Sequence, residues 1–503
     1  MAVVLGKPSA SLSKGIQDSE TAREAQQGKD LGVDGLERLA KILELAMDEN
    51  EHPIPGDILT SLPVPNLEKV PSIPLFTSRL YPSSTNLDLA VVPESVRDVS
   101  EEEMEVVVAG LKDESTLTGV PFHADLTHID SAFVFAAVGI DTTPLSKEQR
   151  LYLPILNEIL FKLPATLEDG NQLSKEQFVN SIHDETVSYS SGVGLLGGAI
   201  PQMSYISAQV ENNDDGSGLS TALKWIRRAL YLTNITTDSV KTAVQRLISE
   251  IPPQIRSGPT VAAIVAAELN YNSEKSNTLA CNFMRQKPFL SKIYEAIENG
   301  DDAALQNIVA ELDGVRNNLF QTSNYHAFVA ANLKAIPKLL DTLVDSLTRP
   351  DKVTEGRTIE NVSASSVLRA QGDDIPGGVG AVCALSAIES GYLNITAPGL
   401  KAYDENHASL LVAIEYLTAL EGDFWVKLRG AGLTYSYSIA ESTDSQLLKF
   451  SLFKCTDIAA AFETASNIIA EYAKGNAVVS AIGLENAKST LAYQIISGRS
   501  SKL

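Results

Sequence analysis

One succession of elements, strand–helix–strand–strand–helix, is written twice in this chain, and it constrains the fold more than any other feature. In the first copy, Ile129 to Ile140 (IDSAFVFAAVGI) is rich in β-branched and aromatic residues and reads as a buried strand. Ser146 and Gln149 have the spacing of a capping box, and LYLPILNEILFKL continues the helix they open. A second box, Ser174 with Gln177, precedes FVNSIHDETV. A Gly-rich segment, a strand at 201–210 and an amphipathic helix around Ala222–Leu232 follow. Residues 237–335 read as mainly helical, with a strand at Tyr325–Ala331. In the second copy, VGAVCALSAI reads as a strand and ASLLVAIEYLTAL as a helix. LTYSYSIA and LLKFSLFK then form a strand pair, and DIAAAFETASNIIAEYAKG is a helix. The polar residues 345–377, punctuated by Gly and Pro, separate the copies. The repeat predicts an α+β fold of two homologous domains, each an antiparallel sheet with helices packed on one face.

Ahead of the repeat lies a segment of another texture. Residues 10–50 are polar, and Leu36, Leu39, Ala40, Ile42, Leu43 and Ala46 recur at helical spacing, which predicts a helix pair. Prolines at 53, 55, 63, 65, 71 and 74 then remove backbone donors and fix φ, so an extended strap is expected. Across 503 residues there are 40 basic and 63 acidic side chains, a net charge of −23. That balance excludes a phosphate-binding footprint, hence nucleic acid, and argues against an anionic membrane surface. Three scattered cysteines, Cys281, Cys383 and Cys455, make neither a disulfide framework nor a metal knuckle and fit a reducing compartment. No stretch is apolar enough to span a bilayer. A cytoplasmic location is expected, with the mitochondrial matrix as an alternative. The tail Ser501-Lys502-Leu503 spells a peroxisomal address as another.

Three constellations could carry chemistry. Gly192-x-Gly194-x-x-Gly197 has dinucleotide-fingerprint spacing but follows a helix and leads to Pro201, so a bulged Gly-rich strand or loop is expected. His123 and His128 are five apart, in what reads as a Pro-preceded loop, and His183 has no second His one turn away. Neither H-E-x-x-H nor H-x-x-E-H occurs, so no metal site is predicted. In Glu421-Gly-Asp-Phe-Trp-Val-Lys-Leu-Arg-Gly-Ala-Gly-Leu-Thr-Tyr435, Arg429 reads as part of a turn and Tyr435 as part of a strand. A planar cation and a phenol could both donate to one carbonyl or oxyanion. Equally, Arg429 could pair with Glu421 while Tyr435 packs in the core; the residues alone leave both readings open.

ASLLVAIEYLTALEGDFWVKLRGAGLTYSYSIA resembles the C-terminal half of the pitrilysin-like metallopeptidases, which include presequence protease, insulin-degrading enzyme and a cytosolic fungal branch. Members are zinc endopeptidases of the H-x-x-E-H type, with four homologous α+β domains around a closed chamber. The resemblance assigns Arg429 and Tyr435 to substrate binding beside the zinc, where they would stabilise the oxyanion. VVLGKPSASLSKGIQ is similar to the last strand of a second domain, giving 1–9 as that strand. Residues 10–75 would be a helical hairpin linker and Pro-rich strap, and 76–345 a third-type domain. Residues 346–503 would be a fourth-type domain that stops short of its closing strand. Aligning Ile155-Leu-Asn-Glu158-Ile159 with the zinc motif puts Ile at both ligand positions. The resemblance therefore implies no metal and no catalytic residue in this chain, zinc lying in the missing half. The expected function is the substrate-binding, non-zinc half of a peptidase that degrades unstructured peptides, inactive alone, with a peptide and a separate catalytic half as partners. The alternative is a non-catalytic structural or interaction subunit of the same descent, in which Arg429 and Tyr435 are relics.

Overall fold

The computed structural model describes residues 10–50, 52, 55–59, 76–82, 87–89, 120–195, 200–213, 215–349, 362–369 and 379–498. The strand expected in 1–9, most of the Pro-rich strap and the tail Ser501–Leu503 lie outside the described residues. Residues 1–70 and residues 71–503 form two compact units. The first is dominated by helix α1, Ala10–Asn50, which is interrupted at Gly32 by φ 60°, ψ −175°. Glycine reaches that backbone state without steric cost. The apolar residues Val33, Leu36, Leu39, Ile42 and Leu43 on α1 are all exposed.

The second unit is built on a seven-stranded sheet of β1 (Phe76–Leu80), β2 (Leu87–Leu89), β3 (His123–His128), β4 (Phe133–Asp141), β7 (Ser188–Val193), β8 (Met203–Glu211) and β9 (Tyr325–Ala331). A small hairpin of β5 (Ala165–Thr166) and β6 (Gln172–Leu173) stands apart from it. The strand order is β2-β1-β3-β9-β4-β8-β7. All pairings are antiparallel except β3 with β9. Two expectations are corrected here. His123–His128 is a strand rather than a loop, because Ala124 and Leu126 are fully buried on one face while His123, Asp125 and Thr127 alternate onto the other. Residues 129–132 form the connection, so β4 begins at Phe133 rather than Ile129.

Helices cover one face. Both capping boxes form: Gln149 N and Gln177 N donate to the hydroxyls of Ser146 and Ser174, and each Gln side chain accepts from its cap backbone. The second box opens α3 (Lys175–Glu185), and Pro154 starts α2 (Leu153–Ile159). Then comes α4 (Gly218–Arg227), whose Leu219, Ala222, Leu223 and Ile226 meet a sheet face carrying Val138, Ile140, Ile206 and Ala208. All eight side chains are about fully buried. Further on, α5 (Gly258–Asn270) packs against the next sheet.

That sheet has three strands: β10 (Gly391–Pro398), β11 (Thr434–Ser442) and β12 (Leu447–Cys455), in the order β10-β12-β11. Helices α6 (His407–Thr418), α7 (Ile458–Ala473) and α8 (Ala481–Gly498) accompany it. Its own core is small: Phe424, Leu428, Leu452, Cys455, Ala461, Ala465 and Ile468. VGAVCALSAI corrects a third expectation. Residues 379–385 are in no strand and 379–384 are exposed, since no described segment pairs with them, and strand propensity is realised only against a neighbour. The α+β class with antiparallel-rich sheets is as expected.

The indole of Trp225 is 0% exposed, meets Phe178 edge-on at 5.3 Å and donates from Nε1 to Glu185 at 2.9 Å. Trp225→Ala is expected to cost about 3–5 kcal/mol in urea unfolding followed by circular dichroism, because it leaves a cavity where a fully buried indole stood. A loss below about 1 kcal/mol would show that this side chain is not a core anchor.

Candidate functional site

The segment Trp425–Gly430 is a π-helical turn rather than an open turn. It is pinned because Phe424 and Leu428 are both fully buried, Phe424 lying 5.4 Å from the ring of Tyr437 and 6.3 Å from that of Phe450. Leu433 N then donates to Leu428 O, and Gly432 N to Arg429 O, turning the chain into β11. Gly432 takes φ 72° there with open space around it, a state that costs a side-chain-bearing residue about 1–2 kcal/mol. This turn brings Arg429 onto Tyr435: the guanidinium carbon stands 5.5 Å from the ring centre. Arg429 is exposed and Tyr435 is 62% exposed. Neither the pairing of Arg429 with Glu421 nor the burial of Tyr435 is found; among the described residues Arg429 has no ion pair, and Asp423 pairs with Lys427 instead.

A third member escaped the sequence reading. Thr434 pairs with Cys455 and Ser436 with Phe453, which sets Tyr435 opposite Lys454. On the other side, Gly391 pairs with Cys455 and Tyr392 with Phe453, leaving Lys454 as the extra residue of a β-bulge at φ 54°. Bulges re-aim side chains. Here Lys454 Nζ stands 5.7 Å from the ring centres of both Tyr435 and Phe453. Two cations thus flank one exposed phenol. The signal available beforehand was only that a lysine sits in the hairpin partner of the strand carrying Tyr435.

A second polar cluster lies on the face of the seven-stranded sheet opposite α4. Arg79 grips Asp125 with two hydrogen bonds, Nε at 2.6 Å and Nη2 at 2.8 Å. His326 Nε2 stands 3.1 Å from the same carboxylate, and its ring stacks on Phe328 at 4.4 Å. His123 lies 5.5 Å from His326 and 5.5 Å from Tyr81, centre to centre. Burial alone would raise the Asp125 carboxyl, but the hydrogen bonds from Arg79 and the close approach of His326 overcome it and hold it down at about 2. Burial, aided by the charges of His326 and Arg79, pulls His123 down to about 4. Neither cluster fits a zinc ion. Among the described residues no three His, Cys, Asp or Glu side chains are arranged to hold a metal. At the positions aligned with the zinc motif, Ile155 and Ile159 are core residues, 0% and 2% exposed.

His123 is therefore buried in its neutral form. A group whose folded pKa is depressed supports folding above its unfolded value, and that support is lost as pH falls through the folded value. Thermal stability is expected to fall from about pH 6.5 down to about 4 on account of His123. The further loss as pH falls toward 2 belongs to Asp125. His123→Phe should flatten the upper part of the profile and leave the lower part; an unchanged upper slope would refute the assignment.

No family profile matches the chain. Curated proteins similar to it include an uncharacterized protein of Caenorhabditis elegans, 24% identical over 98% of this chain and 46% of its own length. Another, from Schizosaccharomyces pombe, is 21% identical over 98% of this chain and 46% of its length. A Saccharomyces cerevisiae protein is 23% identical, covering 94% and 45%. The chain thus spans under half the length of these relatives. Among solved structures, the likeness to a peptidase M16 inactive domain from Pseudomonas fluorescens covers 74% of this chain and 82% of that one, at TM-score 0.50 and 12% identity. A protease from Helicobacter pylori covers 76% and 84%, at TM-score 0.53 and 11% identity. The periplasmic protease PqqL from Escherichia coli covers 75% of this chain and 38% of its own, at TM-score 0.50 and 12% identity. The chain has the fold of an M16 peptidase inactive domain, the fold implied by its resemblance to the C-terminal half of the pitrilysin-like metallopeptidases.

Proposed function

We propose that this chain is the substrate-binding, non-zinc half of a pitrilysin-like endopeptidase acting on unstructured peptides. In this reading residues 76–345 and 346–503 are its third-type and fourth-type domains, and a separate half carries the catalytic metal. The observation that supports it is the stacked, exposed pair of Arg429 and Tyr435 on a sheet of this fold. The guanidinium offers N–H donors and the phenol an O–H donor, and among the described residues no acceptor takes them. A peptide carbonyl placed between them would accept from both. Stacking on the ring limits the freedom of the guanidinium, so less entropy is lost when it binds.

Two measurements test the reading. Arg429→Ala and Tyr435→Phe are each expected to weaken binding of a labelled unstructured peptide about tenfold, roughly one hydrogen bond's worth, in fluorescence anisotropy. Unaltered affinity in both variants would refute a binding role. Purified 1–503 with added zinc is expected not to hydrolyse peptides, because Ile155 and Ile159 cannot ligate a metal. Chelator-sensitive turnover by this chain alone would overturn the proposal.

A further inference from the structure

Lys454 stands in the same group as Arg429 and Tyr435, yet the turn that joins those two does not place it there. Sheet register does. On the β11 side of β12 the pairing is regular, with Thr434 against Cys455 and Ser436 against Phe453. On the β10 side Gly391 is held against Cys455 and Tyr392 against Phe453, which leaves Lys454 one residue too many. It takes φ 54°, a left-handed state that side-chain-bearing residues adopt only where the surrounding structure imposes it. The bulge turns its ammonium onto the rings of Tyr435 and Phe453, 5.7 Å from each centre. Phe453 in turn meets Tyr392 edge-on at 5.1 Å, so the ring beneath the lysine is itself held.

The charges around this group are unbalanced. The chain has a net charge of −23, so acids outnumber the bases that could pair with them. Lys427, Lys474 and Lys488 in the same region each have a carboxylate partner. Among the described residues neither Lys454 nor Arg429 has one. The acids closest to them in sequence are engaged elsewhere. Asp423 holds Lys427 and accepts from the hydroxyl of Tyr472, and Asp457 accepts from Ala460 N at the start of α7. Two exposed cations therefore share one exposed ring, and the described residues supply no anion between them. An aromatic face attracts each cation but cannot neutralise either. A bound anion would do so.

We infer that Lys454 makes this site selective for a carboxylate on the bound peptide. The inference rests on the reading of Arg429 and Tyr435 as the grip on a peptide carbonyl. That grip takes hold of main chain, which every residue has, and so gives no preference for sequence. Lys454 adds a point charge with three N–H donors, which a carboxylate answers more strongly than a neutral carbonyl does. Because the main-chain grip is indifferent to sequence, a peptide can shift along it until its carboxylate meets the ammonium. That carboxylate has two sources, a Glu or Asp side chain and the peptide's own C-terminus.

The test measures binding of unstructured peptides, capped at both ends, to the full 1–503 chain by fluorescence anisotropy. Three peptides differ only in a central Glu, Gln or Lys. The Glu peptide is expected to bind about two to five times tighter than the Gln peptide, as an exposed ion pair gives. The overall acidity of the chain opposes that order, so local cations must produce it. Lys454→Met keeps the apolar stem and should lower the Glu-to-Gln ratio toward one. Lys454→Arg should retain the ratio, and Lys454→Glu should favour the Lys peptide over the Glu peptide. A fourth peptide, with central Gln and a free C-terminal carboxylate, separates the two sources. A Lys454-dependent gain with either carboxylate supports the inference and identifies which source the site takes. The inference is overturned if the parent chain prefers neither carboxylate, or if Lys454→Met leaves the preference unmoved. In both cases weaker binding of all the peptides by Arg429→Ala would leave the carbonyl grip standing. If Arg429→Ala weakens none of them, the grip itself fails and this inference falls with it.

Discussion

The seven-stranded sheet depends on β9. Strands β3 and β4 are neighbours in the chain but not in the sheet, and each would present a bare main-chain edge if β9 did not return between them. Unpaired buried N–H and C=O groups are costly, so this one insertion satisfies two edges together. It is held at its start by Tyr325, fully buried, whose hydroxyl lies 2.7 Å from that of Tyr231, which donates in turn to Leu347 O. The helical face then follows. With β3, β9, β4 and β8 in register, Leu126, Val329, Ala136 and Ala208 line one side, and α4 has a continuous apolar surface to cover.

The opposite side of the same sheet is polar for the same geometric reason. Register places Arg79 against Asp125 and His123 against His326, so four chemically demanding side chains share one patch. Their mutual satisfaction lets a buried carboxylate and a buried neutral imidazole coexist. The Arg429–Tyr435 pair is built differently. A short π-helical turn, anchored by Phe424 and Leu428 and closed by Gly432, carries the cation back onto the strand that holds the phenol. One site is a product of sheet register, the other of a local turn.

That difference decides how much could be read beforehand. Both capping boxes, the hairpin β11–β12, helix α7 and strand β9 follow from spacing and periodicity, and they form as expected. Arg429 and Tyr435 were legible as a pair because the chain between them is short. His123–His128 was misread because its polar face hid the alternation of Ala124 and Leu126. Residues 379–385 were misread the other way, since β-branched composition describes a strand only when an edge is present to receive it. Lys454 was invisible, because a bulge is a relation between strands and not a property of either.

By itself, the sequence determined the α+β class, where helices start, which strands pair as hairpins, and that Ile155 and Ile159 bring no metal ligand. Those features are set by residues a few positions apart, through caps, period and side-chain chemistry. Only the tertiary structure decided that β9 separates β3 from β4, that Asp125 is gripped by Arg79 and faced by His326, that Lys454 joins Tyr435, and that β10 lies at the edge of its sheet among the described residues. Each of these depends on main-chain hydrogen bonding between distant segments. The backbone groups that make those bonds are the same in every residue, so the side-chain pattern carries little trace of which segments will meet.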